Sequence, residues 1–290
     1  MKKLFLGVCA AVWMLTACSG STLKGNNADS TIVASGLMAT EPALPAGHTS
    51  SQSVAEYEIP ARLKDRPEQI LRRRGYTVSY NKDTRTPNWV AWHLTKSHTY
   101  GNHQRNRDMF NEDETVARPR ATDDDYYNSR YDRGHMCPAG DNKWDAQAMR
   151  ETFLLTNICP QNHNLNKYEW NDIEILCRSW ARQYGAVDVV CGPVYYRGEA
   201  PRTIGRNKVR VPDAFFKVVL CRNSGAKAMG FVYKNTGKKQ NVYDCVRSVD
   251  EIEKLTGIDF FPVLQDDVEA EVEGQSELKE WNPSYPTRYK

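Results

Sequence analysis

The chain has 290 residues, 40% of them hydrophobic and 26% charged, with a formal net charge of +3. That composition fits a folded protein with one sizeable core and excludes an acidic or basic polyelectrolyte. No internal repeat, coiled-coil heptad or second hydrophobic span appears, and a charge of +3 does not by itself predict nucleic-acid binding.

Lys2 and Lys3 precede an apolar run from Leu4 to Leu15 that closes on Thr16-Ala17-Cys18. The run is shorter than the ~20 residues of a membrane span and reads as a secretory signal. Leu15-Thr16-Ala17-Cys18 resembles a bacterial lipobox, which implies a signal peptide over 1–17, lipidation of Cys18 and an exported chain held to a membrane, periplasmic or at the cell surface. Residues 18–56, rich in Ser, Thr, Ala, Gly and Pro, read as a flexible tether, and 57–290 as one domain.

Within that domain Arg72-Arg73-Arg74 and the stretch from Arg197 to Arg210 are basic, while "DDVEAEVEGQSE" is acidic; taken singly, each is a solvated face. "NWVAWHLTK" (88–96) alternates apolar and polar residues and predicts a strand. "DNKWDAQAMRETFLL" predicts a short helix capped by Asp141, and Pro160 with the asparagines of "TNICPQNHN" predicts a loop. From Asn166 the apolar residues Trp170, Ile173, Leu176, Cys177, Trp180, Ala181 and Tyr184 recur at helical spacing until Gly185. "VDVVCGPVYY", "DAFFKVVLC" and "AMGFVYKN" predict strands, and Ser248 with Glu251 forms a capping box opening "VDEIEKLTG". Helices and strands without strict alternation predict an α+β fold, a mixed or antiparallel sheet layered with helices.

The chemistry gathers around "YDRGHMCPAGDNKW". An imidazole with an ordinary pKa near ~6.5 accepts a proton at working pH, so His135 is a candidate general base. Arg133 offers a phosphate contact, and Gly134 permits close backbone approach. Asn166 and Glu174, eight residues apart on the predicted helix, lie on one side of it. An amide oxygen and a carboxylate are hard ligands that suit Mg²⁺; zinc, with only His163 nearby, is a poor second choice.

"DRGHMCPAGD", "TNICPQNHNLNKYEWNDIE", "CGPVY", "VPDAFFKVV" and "VDEIEKLTG", in this order, resemble the DNA/RNA non-specific endonucleases of the ββα-metal type. The resemblance runs from about Arg73 to about Leu264. It implies His135 as general base, Asn166 as direct Mg²⁺ ligand with Mn²⁺ as a substitute, Glu174 acting through metal-bound water, Arg133 on phosphate and Asn157 supporting the site. A basic family side chain falls at Lys96, where lysine lacks the bidentate fork of arginine. The implied reaction is hydrolysis of phosphodiesters in DNA and RNA to 5′-phosphates. The alternatives are a catalytically inactive nucleic-acid-binding surface lipoprotein and an adhesive one; the oligomeric state is open.

Cys137, Cys159, Cys177, Cys191, Cys221 and Cys245 remain after the signal and lipobox cysteines, an even set that predicts disulfides in an exported protein. Convergence of the "DRGH" and "TN" segments on one metal predicts Cys137–Cys159. Adjacent strand ends predict Cys221–Cys245, leaving Cys177–Cys191, among 15 formal pairings.

Overall fold

A computed structural model describes residues 56–105, 109–198, 200–223 and 225–281. The expected signal peptide, Cys18 and the tether up to residue 55 lie outside the described residues. Among those described, no helix is long and apolar enough to cross a membrane.

The strands are β1 (Gln69–Arg72), β2 (Thr77–Asn81), β3 (Thr86–Thr95), β4 (Asp132–His135), β5 (Ile158–Gln161), β6 (Ala186–Val194), β7 (Thr203–Ile204), β8 (Val209–Arg210), β9 (Ala214–Cys221), β10 (Lys227–Lys234) and β11 (Val246–Arg247). The helices are α1 (Asp123–Tyr126), α2 (Ala146–Glu151), α3 (His163–Lys167), α4 (Glu169–Tyr184), α5 (Val242–Cys245), α6 (Val249–Thr256) and α7 (Asp266–Glu273). Seven strands form an antiparallel sheet in the order β1-β2-β3-β6-β9-β10-β11, and β4 with β5 makes a separate ribbon. The expected α+β class is the observed one.

The central strands are apolar on both faces, so alternation sorts their side chains into two cores. Val90, Trp92, Val189, Cys191, Phe215 and Val219 join the buried face of α4, including Trp170, Ile173, Leu176 and Trp180. Trp89, Ala91, Val190, Phe216, Val218 and Leu220 face the other way, onto Val249 and Ile252 of α6, Phe260, Phe261 and Val272 of α7. The capping box forms as read: Glu251 N–H donates to Ser248 Oγ at 3.2 Å and Ser248 N–H to Glu251 Oε2 at 2.9 Å.

Three local expectations change. Asp145, not Asp141, caps α2 by accepting from the Gln147 and Ala148 N–H groups; Asp141 ends a 3₁₀ turn and pairs with Arg178 at 2.8 Å. The "TNICPQNHN" loop contains β5, where Pro160 sits opposite Arg133 in a two-stranded ribbon that tolerates a missing donor. The helix expected to run on from Asn166 breaks at Tyr168 (φ −114°, ψ −86°), so Asn166 belongs to α3 and Glu174 to α4.

The disulfide expectations are also corrected, for all six cysteines are buried free thiols. Cys159 pairs in register with Gly134, three residues short of Cys137. Both thiols enter the same core beneath the cleft and stay unbridged. Cys221 and Cys245 are separated by β10: Cys221 sits opposite Lys227, whereas the residue after Cys245 pairs with Phe231. Cys177 and Cys191 share one core, but Cys191 Sγ donates to the Met136 carbonyl at 3.3 Å.

Candidate active site

A cleft of about 1190 Å³ opens where the β4–β5 ribbon meets α3 and α4. Its walls include Arg133, His135, Asn166 and Glu174. Four residues expected on sequence grounds therefore meet in one place, brought from a strand and two helices.

His135 ends β4, paired with Ile158. Its ring is wedged against Phe153 (4.9 Å between centroids, edge-on) and Phe110 (5.3 Å), leaving the residue 9% exposed. Among the described residues, Nε2 is buried and meets no hydrogen-bond partner. Burial first, then the nearby Arg105 and Arg133 guanidinium groups, hold its pKa down to about 3. The imidazole is thus neutral at physiological pH, with an unsatisfied ring nitrogen of the kind that calls for a polar partner. Its backbone is fixed too, because Trp170 Nε1 of α4 donates to the His135 carbonyl at 3.1 Å.

Gly134 is required by the ribbon itself: a Cβ there would lie 2.2 Å from Oε1 and 2.5 Å from Cβ of the buried Gln161. Arg133 lies over the Phe110 ring at 4.4 Å and pairs with Asp123. Its guanidinium is held at the cleft wall, where it can meet a phosphate oxygen.

Asn166 Nδ2 donates to Asp132 Oδ2 at 2.9 Å, an arrangement that leaves the amide oxygen for a cation. Glu174 is half-buried, and desolvation pushes its carboxyl up to about 7 against the opposing pull of Lys217 and Arg178. A cation beside that carboxyl would recover part of the desolvation cost. The donor set, one amide oxygen and one costly carboxylate, therefore fits a largely hydrated hard divalent ion.

Two expected residues lie elsewhere. Asn157 is fully buried behind the cleft: Oδ1 accepts from Cys137 N–H at 2.9 Å, and Nδ2 donates to the carbonyls of Cys137 (2.9 Å) and Thr152 (2.8 Å). It staples the turn after His135 to the end of α2 and touches no cleft space, so it is a positioning residue. Lys96 is exposed just beyond β3, with its N–H bonded to the Gly185 carbonyl at 2.7 Å, and is not part of the cleft wall.

Asp132 and Arg178 line the cleft and escaped the sequence reading. Asp132 stands directly before the "RGH" run and holds both Asn166 and His163, whose Nδ1 lies 3.0 Å away. Arg178 follows Glu174 by one helical turn, a spacing that would have found it.

A family model described as DNA/RNA non-specific endonuclease matches residues 57–267. The chain belongs to that family. It is an endonuclease by class, and its ββα-metal fold is one that works with a divalent cation. Endonuclease G, mitochondrial, of Bos taurus is 34% identical over 79% of this chain and 79% of that one. Nuclease EXOG, mitochondrial, of Danio rerio is 38% identical over 69% of this chain, which spans only 63% of that longer protein. Among solved structures, EndoG from an EndoG/EndoGI complex superposes with a TM-score of 0.66 at 28% identity, covering 72% of this chain and 90% of that one.

Proposed function

We propose that this endonuclease is a Mg²⁺-dependent, sugar-non-specific enzyme that hydrolyses phosphodiester bonds of DNA and RNA to 5′-phosphate products. The observation that carries the reading is the buried, unpartnered Nε2 of His135 in a cleft shared with Asn166, Glu174 and Arg133. A neutral imidazole there takes a proton from an attacking water, and the two aromatic walls fix its direction. Asn166 would hold the ion directly and Glu174 through its water shell. When bound, the metal supplies positive charge for the phosphate and the departing 3′-oxygen. Arg133 steadies the phosphate. Contacts of this kind address the sugar-phosphate backbone and carry no direct base information, which supports acceptance of many sequences and both sugars.

Supercoiled plasmid and a structured RNA, each incubated with Mg²⁺, with Mn²⁺ and with EDTA, test this reading. Cleavage of both with either ion, ends that religate without kinase treatment, and no cleavage in EDTA are expected. Retarded but uncut nucleic acid in Mg²⁺ would instead support the inactive binding lipoprotein. The lipobox at Leu15-Thr16-Ala17-Cys18 supports an exported, membrane-anchored location.

A further inference from the structure

The acidic C-terminal stretch does not simply face water. Helix α7 packs beside α6 and against β10, on the face of the sheet opposite α4. Its last residue, Glu273, is only 6% exposed, and among the described residues the buried Oε1 meets no hydrogen-bond partner. Asp250 in the first turn of α6 and Glu253 one turn on meet it there. One carboxylate oxygen from each of the three lies within 4.8 Å of the other two.

The carboxylates of Glu269 and Asp259 add to the negative charge around this trio. Part of Glu253 is already committed, since Oε1 accepts from the Phe260 N–H at 2.7 Å. Buried acids without a counter-charge are expensive to ionise. A proton or a cation can relieve that cost. Three carboxylates converging on one point suit Ca²⁺, whose shell is built largely of protein oxygens, better than Mg²⁺, which usually binds through one or two carboxylates and keeps several waters.

We propose that Asp250, Glu253 and Glu273 form a structural Ca²⁺ site that clamps α7 onto α6 and thereby onto β10. It shares no residue with the cleft. Three carboxylates give the ion part of its oxygen shell, and water completes it.

Thermal unfolding of the full chain with CaCl₂ tests the site in wild type, Asn166→Ala and Glu273→Gln. At a hundredfold excess over Kd, Ca²⁺ should raise Tm by roughly 5 °C in wild type and equally in Asn166→Ala, whose cleft is impaired. Glu273→Gln should lose the shift while cutting plasmid in Mg²⁺ at the wild-type rate. Asp250→Asn, half-buried at a helix start, serves if Glu273→Gln fails to fold, and should likewise lose the shift. No shift in Asn166→Ala, or a full shift in either carboxamide variant, would overturn the proposal and leave a shared proton as the device that relieves these acids.

Discussion

At the scale of single residues, the proposed role of His135 as base ties the response to acid to its protonation state. An imidazole of ordinary pKa would lose its base function as pH falls through about 6.5. Here the conjugate acid is disfavoured down to about 3, so the neutral form survives acidification. Single-turnover plasmid cleavage at saturating Mg²⁺ should therefore retain its chemical rate at pH 5.5; a half-loss centred on pH 6.5 would contradict the assignment. The same shift has a stability sign. Above pH 6.5 folded and unfolded states are both neutral, and between 6.5 and about 3 only the unfolded chain takes the proton, so His135 makes the fold lose stability as pH falls through that window. Replacing His135 by Ala should cost ~10²–10⁴-fold in rate with the circular dichroism spectrum unchanged. Asn166→Ala should weaken Mg²⁺ binding, read by calorimetry, more than Glu174→Gln does, because under the proposed ligation the first removes a direct ligand and the second a water-mediated one.

At the scale of elements, the supports behind the cleft separate stability from chemistry. Asn157→Ala strands the Cys137 N–H and two carbonyls in a dry interior, and should destabilise by about 2–3 kcal/mol in urea unfolding. The thiols should behave as spectators: alkylation of unfolded, unreduced protein should recover all six of Cys137, Cys159, Cys177, Cys191, Cys221 and Cys245 free. How far these elements were legible depended on whether a local signal matched the tertiary outcome. The runs around Val90, Val190 and Val218 announce strands because their residues are β-branched or aromatic and bounded by turns. Ser248 and Glu251 announce a helix start by a mechanism that is wholly local. Pro160 misled, since what permits a strand there is the absence of a further neighbour beyond β5, a property of the ribbon and not of proline. The break at Tyr168 carries no glycine or proline, so helical spacing ran through it unseen. The cysteine pairs failed for a related reason: convergence of two segments on one site fixes their distance to within a strand's length, while a bridge needs register.

At the scale of the whole molecule, the cleft residues named above all lie between Arg105 and Arg178. Removal of residues 1–56 should leave Tm within about 1 °C and plasmid cleavage unchanged, measured on the purified fragment. If Cys18 anchors the chain, Cys18→Ser should abolish palmitate labelling and move the protein from the membrane fraction, with its nuclease activity intact. The middle of the sheet carries one more implication. Strands β3 and β6 are partners, from Val90 opposite Cys191 to Thr95 opposite Ala186, yet everything from residue 96 to 185 lies between them, including the β4–β5 ribbon, α3 and α4. Closing a loop of that length as loose chain costs about 4 kcal/mol in entropy. The cost falls sharply if the ribbon and α4 have already collapsed into a compact bridge. The cleft segment is thus placed to assemble before the sheet closes at its centre, and refolding should show early protection of α4 amides and late protection of the β3–β6 ladder in pulsed hydrogen exchange.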